Sequence, residues 1–170
     1  MFISLSRTRI FNRGRALSAT NTHYGHPMQL LAPGTAKGMF DGWETARNPN
    51  RPKIFTYGPD GQLIMPGFER AVIQLGHSGR ISRVIVETHH FKGNYPESCI
   101  LEGCLVTAGH GDAPSDQETW VPLVPRTKLA ANDSKTFEVS ATSIVSHVRL
   151  TMYPDGGISR LRVFGSIVRG

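Results

Sequence analysis

The sequence predicts an all-β protein with the fold of a β-sandwich or jelly roll. Of its 170 residues, 18 are glycine and 11 are proline, which leaves little room for long helices. From residue 71 onward, seven short runs are either apolar or alternate between apolar and polar positions, as strands do. No stretch has the 3.6-residue apolar period of a three-turn helix. Seven short strands joined by turns are typical of sandwiches and jelly rolls.

The predicted strands follow one another closely along the second half of the chain. In the run 146–153, Val148, Leu150 and Met152 fall on one face and the polar positions between them on the other, which indicates a half-buried strand. Turn-forming sequences separate the runs, namely HSGR, KGNYP, AGHGDAPSD and PDGG. The predicted strands are 71–76, 82–91, 98–106, 120–124, 135–140, 146–153 and 159–165.

Residues 20–70 are predicted to be an ordered but irregular segment. They lack sustained periodicity and are dense in glycine, proline, asparagine, histidine and aromatic residues. A long irregular segment inside a compact domain is usually functional or disordered, and the aromatic residues favour order. We expect Trp43 to be buried, with Tyr24, Met28 and Phe40 packed against it.

The net charge of +6 is concentrated near the N-terminus, because the first acidic residue is Asp41. The body of the chain is almost neutral and lacks the basic stripe with interleaved aromatic residues that nucleic-acid-binding domains carry. No run approaches the ~18 apolar residues of a membrane span. We therefore expect neither a nucleic-acid partner nor a membrane. The basic residues before Asp41 are Arg7, Arg9, Arg13, Arg15 and Lys37.

We divide the chain into a basic leader, residues 1–13, and one domain, residues 14–170. A solvated N-terminal segment and a cytoplasmic location are the simplest interpretation. The alternative is a mitochondrial transit peptide, since the leader is rich in Ser and Arg and has no acidic residue.

The two cysteines, Cys99 and Cys104, fall in one predicted strand. At ~3.3 Å per residue they would lie roughly 16 Å apart, far beyond the ~7 Å Cα limit of a disulfide. They are predicted to be free thiols. No dinucleotide fingerprint, P-loop, nucleophile elbow or HExxH motif occurs, so no cofactor is implied, and a divalent metal stays open.

Two clusters of polar residues are candidates for chemistry. In DGWET, Asp41 and Glu44 flank Trp43, an arrangement that can raise the pKa of one carboxyl for acid or base work; the alternative is a capped turn pinned by a buried Trp. Glu87 precedes His89 and His90, which are adjacent and would point to opposite faces of a strand.

Other polar residues allow two interpretations each. His23 and His26 are three apart and suit either metal ligation or loop hydrogen bonds, and Gly25 and Pro27 make a helix there unlikely. YPDGG is explained by a turn alone. Several arginines could clamp a carboxylate, and Arg160 and Arg162 would share one strand face.

Taken together, the segments NTHYGHPMQLLAPG, GMFDGWETAR, AVIQLG, HFKGNYPESCILEGC, LVPRTKL and HVRLTMYPDGGISRLRVFG resemble the allantoicase repeat, most closely its second copy. The similarity covers residues 14–165. The resemblance implies a galactose-binding-like jelly roll and hydrolysis of allantoate to ureidoglycolate and urea in purine degradation. The chain departs from the family at Glu87, where Asp is usual, and at Glu69 and Arg70, where Asp-Trp is usual.

The reaction that the resemblance implies needs a proton donor for the leaving nitrogen, a base for water and a cation for the substrate carboxylate. At positions that match the family motifs, we hypothesise Glu44 or Glu87 as acid or base and His90 as proton partner. The hypothesised substrate-binding residues are His23, Asp41, Lys92, Asn94, Tyr153, Asp155 and Arg162, with Lys92 or Arg162 as the carboxylate anchor. We expect DGWET and HFKGN to meet at one end of the sandwich.

The family usually carries two repeats per chain, and this chain is long enough for one. The resemblance therefore implies pairing with a second repeat or assembly into a homo-oligomer. The alternatives are a noncatalytic ligand- or carbohydrate-binding jelly roll and an inactive relative, because fold does not determine function.

Overall fold

The computed structural model describes residues 13–107 and 113–168 and has an all-β architecture, which confirms the predicted fold class. No helix in these ranges has the length and hydropathy that crossing a membrane requires. The predicted leader lies outside the described residues except for residue 13, and the division at 13/14 stays a prediction. Within the described ranges the strands are β1 Arg15–Ala19, β2 Trp43–Glu44, β3 Glu69–Glu87, β4 Ser98–Cys104, β5 Val121–Lys128, β6 Ser134–Glu138, β7 Val145–Tyr153, β8 Gly157–Ile158 and β9 Arg160–Ile167, with 3-10 helices at Pro27–Leu31 and Met39–Asp41.

The long strand β3 belongs to both layers of the sandwich. Its first half pairs with β1 and β7, and its second half pairs with β9 and β6, all antiparallel. The turn that HSGR predicts at 77–80 is therefore wrong, because the backbone continues to form ladder bonds there. A register shift between Gln74 and Gly79 marks where the strand bends, as bulges allow.

The core lies between the layer β1-β3-β7-β4-β5 and the layer β9-β3-β6. The predicted inward face of β7 is confirmed, since Val148, Leu150 and Met152 are all completely buried. Thr151 on the opposite face is also buried, and its hydroxyl accepts a hydrogen bond from Arg70 Nε at 2.9 Å.

Cys99 and Cys104 are free thiols in β4, as their spacing predicts. Both are buried. Burial raises the pKa of Cys99 to about 12 and that of Cys104 to about 11, so neither thiol is a reactive thiolate near neutral pH.

The segment that precedes β3 is irregular apart from two short 3-10 helices and β2, as the sequence predicts. Trp43 is completely buried, and its Nε1 donates to the carbonyl of Asn21 at 2.9 Å. Tyr24, Met28 and Phe40, the residues expected to pack against it, are 63%, 42% and 73% exposed and are not part of the hydrophobic core that contains Trp43.

Candidate functional site at the loop end of the sandwich

A two-stranded ladder joins the DGWET segment to the YPDGG segment. In the β2–β8 pair, Trp43 lies opposite Ile158 and Glu44 opposite Gly157. The backbone N–H of Thr45 donates to Gly156 at 3.0 Å. This ladder fixes the backbone of Glu44, while its carbonyl accepts a bond from the N–H of Tyr24 at 3.2 Å.

Two glycines let the HFKGN segment approach this ladder. A Cβ at Gly157 would lie 2.1 Å from the ring of Phe91, and one at Gly156, where φ is +132°, would lie 2.6 Å from the carbonyl oxygen of Asn94. The N–H of Gly157 instead donates to that carbonyl at 2.8 Å. A side chain at either position would therefore separate Asn94 from Glu44.

Glu44 and Asn94 meet directly, since Asn94 Nδ2 donates to Glu44 Oε1 at 2.5 Å. The expected contact between DGWET and HFKGN at one end of the sandwich is thus confirmed. A cavity of about 160 Å³ opens beside the pair. Its lining includes Tyr24, Glu44, Arg47, Arg51, Asn94 and Asp155. We call it the Glu44 cavity.

Asp155 does more than form the turn that its sequence indicates. It is only 3% exposed, and its carboxylate accepts hydrogen bonds from the backbone N–H of Asn48 and from Arg51 Nη1, each at 2.8 Å. The protein's own donors thus engage both oxygens. Asp155 therefore holds the 48–51 loop and Arg51 at the rim of the Glu44 cavity.

The Glu44 cavity brings together a carboxylate oriented by an amide and two guanidinium groups. A positioned carboxylate can transfer a proton, and a guanidinium matches the geometry of a carboxylate ligand. Sequence reasoning missed Arg47 and Arg51 as members of this set. Arg47 is the last residue of the GWETAR motif, so the motif could have indicated it. Arg51 lies in the site through its ion pair with Asp155, which the sequence does not predict.

Asp41 is engaged by the buried Arg160. The Arg160 side chain is 1% exposed, and its Nη2 donates to Asp41 Oδ2 at 2.7 Å. Its other donors reach the carbonyls of Gln29, Gly34, Asp41 and Ser159. This hydrogen bond from Arg160 holds the pKa of the Asp41 carboxyl below its usual value, against an opposing effect of burial.

Arg162 points to the same loop as Arg160, as the shared strand face predicts. Its Nη1 and Nη2 donate to the carbonyls of Leu30 and Gly34 at 3.4 and 2.7 Å. Arg162 is not among the residues that line the Glu44 cavity. The structure therefore gives it a role in holding the 30–34 loop against β9.

Glu87 is close to His89 and not to His90. His89 Nδ1 lies 3.7 Å from Glu87 Oε2, and neither atom has a hydrogen-bond partner. His90 follows the end of β3 with φ +72°, and its Nε2 donates to the carbonyl of Ala36 at 2.8 Å. The predicted strand through 91 is wrong here, because β3 ends at Glu87 and a turn follows.

The remaining hypothesised residues are dispersed. His23 is exposed, with its ring centroid 4.4 Å from that of Tyr24. Lys92 is exposed and precedes Gly93, which lines the Glu44 cavity. The ring of Tyr153 lies under the guanidinium of Arg126 at 4.0 Å. His26 Nδ1 accepts the N–H of Met28 and caps a 3-10 helix, the loop role weighed against metal ligation. In ranges 13–107 and 113–168, no three His, Cys, Asp or Glu residues are grouped to hold a metal ion.

Comparison with protein families gives one match along most of the chain. The model of the allantoicase repeat matches residues 8–168. A probable allantoicase from Photobacterium profundum is 40% identical over 159 residues, which are 92% of this chain and 44% of that protein. This chain therefore spans less than half the length of the curated relatives it matches.

Solved structures agree with the jelly-roll expectation. The structure of allantoicase from Saccharomyces cerevisiae has a TM-score of 0.70 and 36% identity, covering 90% of this chain and 40% of that chain. A family 32 carbohydrate-binding module from Streptococcus pneumoniae EndoD has a TM-score of 0.61 at 9% identity, covering 94% and 100%. The second similarity shows the fold alone.

Proposed function

The chain belongs to the allantoicase family, and from that premise we propose that the protein hydrolyses allantoate to ureidoglycolate and urea. The observation that carries the proposal is the Glu44 cavity, in which Asn94 orients Glu44 beside Arg47 and Arg51. The cavity combines a proton-transfer group with cations for a substrate carboxylate.

The reaction breaks the bond between the central carbon of allantoate and one ureido nitrogen. Water supplies the hydroxyl that joins the carbon and the proton that joins the leaving urea nitrogen. In the proposed site, Glu44 transfers this proton and Asn94 keeps its carboxylate in position. Arg47 and Arg51 join Lys92 as proposed anchors of the substrate carboxylate. They take the place of Arg162, which donates to backbone carbonyls and does not line the Glu44 cavity.

We further propose that the active form contains two repeats, either as two copies of this chain or as this repeat with another. Support comes from the partial coverage of the relatives and from exposed apolar side chains near the loop end. Covering such side chains with a second repeat would remove apolar surface from water, which favours association. The side chains concerned are Tyr24, Met28, Met39 and Phe40, which are 63%, 42%, 47% and 73% exposed.

Urea release from allantoate by the purified chain tests the proposed reaction. We expect Glu44→Gln to lower kcat by about 100-fold or more, the usual contribution of a positioned acid or base. Glu138→Gln, an exposed glutamate on β6, serves as the matched control and should keep full activity. An unchanged kcat in Glu44→Gln, or no urea release with a sugar bound instead, would contradict the proposal.

Sedimentation velocity beside the same assay tests the assembly. Specific activity should fall on dilution in step with dissociation of the oligomer. Full specific activity in a wholly monomeric sample would eliminate the two-repeat requirement.

A further inference from the structure

A second cavity adjoins the Glu44 cavity. It has a volume of about 260 Å³ and shares Arg51 and Gly93 with the first. Its other lining includes three aromatic residues, Phe55, Tyr57 and Tyr95, together with Glu97 and Lys128. We call it the Glu97 cavity.

Glu97 is a buried carboxylate whose acceptors are unused. Its side chain is 9% exposed, and neither Oε1 nor Oε2 has a hydrogen-bond partner. The nearest cationic atoms, Arg126 Nη2 and Lys128 Nζ, are 3.8 and 3.9 Å away, beyond hydrogen-bond distance. A buried acceptor without a donor is uncommon in native proteins and calls for a physical explanation.

The groups around Glu97 are held by other contacts. Arg126 donates from Nε to Ser98 at 2.9 Å, and its guanidinium lies over the ring of Tyr153. Lys128 Nζ lies 4.5 Å from the centroid of the Tyr57 ring. Two cations around one carboxylate leave a net positive charge, so a further cation in the cavity would be repelled. A neutral group that carries several N–H donors avoids this repulsion.

We propose that the Glu97 cavity binds a planar, neutral ureido group. Two N–H donors of such a group can reach the two oxygens of Glu97, while Lys128 Nζ can donate to its carbonyl oxygen. The aromatic rings of the lining offer apolar surface to its faces. Glu97 is thus a specificity-determining residue. The N–H groups of the ligand are the hydrogen-bond donors that its carboxylate lacks.

This inference rests on the proposed function, because it assigns the two ureido groups of one substrate to adjoining cavities. The group that leaves lies at Glu44, and the group that is retained lies at Glu97. Arg51, common to both cavities, lies between them and is fixed by Asp155. A substrate with one ureido group would therefore occupy only part of the site.

Direct binding to the full chain tests the ureido subsite without requiring turnover. The probes are N-carbamoylglycine and N-acetylglycine, which differ in whether a terminal NH₂ or a methyl group follows the carbonyl. We expect N-carbamoylglycine to bind about 10- to 100-fold more tightly, the usual effect of hydrogen bonds to a charged acceptor. Its binding should shift the amide NMR signals of Gly93, Tyr95 and Leu129. Equal affinities, or shifts confined to other residues, would overturn the proposal.

Two further measurements separate the alternatives. Glu97→Gln should remove most of the preference for N-carbamoylglycine and leave the affinity for N-acetylglycine unchanged, with Glu138→Gln as control. If Glu97→Gln fails to fold, the two-probe comparison on the unmodified protein still decides. Tighter binding of guanidinoacetate would overturn the preference for a neutral group. Ligand preference without urea release would contradict the proposed reaction and leave the ureido subsite standing.

Discussion

Arg160 and Glu97 are both buried ionised side chains, but the protein treats them in opposite ways. Arg160 is 1% exposed and donates to a carboxylate and four backbone carbonyls. The Glu97 side chain is 9% exposed, and its carboxylate accepts no hydrogen bond. Burying an ion is unfavourable unless partners replace water. The protein supplies hydrogen-bond partners to Arg160. It gives Glu97 two cations, at 3.8 and 3.9 Å, and leaves the hydrogen-bond donors to a ligand.

This difference in hydrogen bonding assigns Arg160 a structural role and Glu97 a ligand-binding role. The Arg160 network holds the 27–41 segment against β9 and orients the loops that precede β2. The Glu97 cavity lies beside the proposed reaction site and retains an unused acceptor. A residue of the first kind should matter for stability and one of the second kind for affinity.

The largest expected effect is on stability when Arg160 is removed. Arg160→Met removes the cation that pairs with Asp41 and the hydrogen bonds that this guanidinium donates to four backbone carbonyls. The free energy of unfolding should fall by about 3–5 kcal/mol, as for other broken buried ion pairs. Urea denaturation measures the change. Arg162→Met, which removes bonds to two carbonyls, is the control and should lose about 1 kcal/mol. Equal losses of stability in the two variants would contradict the special structural role of Arg160.

The rate at which a thiol reagent modifies the two buried cysteines should also report the loss of stability in Arg160→Met. Where labelling requires global unfolding, a loss of about 3–5 kcal/mol in Arg160→Met speeds modification of Cys99 by about 150- to 4,000-fold. Glu97→Gln should leave that rate nearly unchanged. In denaturant both thiols should react in every variant, and fewer than two reactive thiols there would contradict their free state.

Acid should weaken the Arg160 network through Asp41. Its pKa is lower in the folded protein than the unfolded value of about 3.9. The ionised carboxylate therefore stabilises the fold above that unfolded value, and this contribution disappears as the pH falls through the folded pKa. The stability advantage of the unmodified protein over Asp41→Asn should shrink below about pH 4. A constant advantage from pH 6 to pH 3 would show that Asp41 does not carry it.

The smallest stability change is expected at Glu97. The Glu97 carboxylate accepts no hydrogen bond, and its ion pairs with Arg126 and Lys128 are long, at 3.8 and 3.9 Å. Glu97→Gln should therefore alter the free energy of unfolding by no more than about 1 kcal/mol. In the urea-release assay it should raise KM with little change in kcat, as loss of uniform binding does. A large fall in stability with an unchanged KM would place Glu97 with Arg160 as scaffold.

Much of the fold could be predicted because its signal is local. The alternation in β7 and the spacing of the cysteines reflect strand geometry, and both predictions are confirmed. The bend of β3 was missed, because Gly79 and its neighbours have turn-forming composition. Only their pairing with both Val145 and Ile167 keeps them in a strand, and that pairing is not local.

The site was harder to predict, because its members meet through tertiary contacts. The contact of Glu44 with Asn94 followed from the motifs, but Arg51 enters the site through Asp155, 104 residues away in sequence. Glu97 lies in PES, which has the composition of a turn. The lack of a hydrogen bond to its carboxylate depends on the orientation of the Arg126 and Lys128 side chains, which no sequence pattern predicts.

The sharing of β3 between the two layers has a consequence for how the molecule opens. A sandwich whose layers are linked only by loops can lose one layer while the other persists. Here the single strand β3 forms hydrogen bonds in both layers. Separating the layers must therefore disrupt the hydrogen bonds that β3 forms with β7 or with β9. Native-state hydrogen exchange should therefore find one cooperative unit. The amides of Ile73 and Val84, one in each half of β3, should exchange with the same free energy of opening.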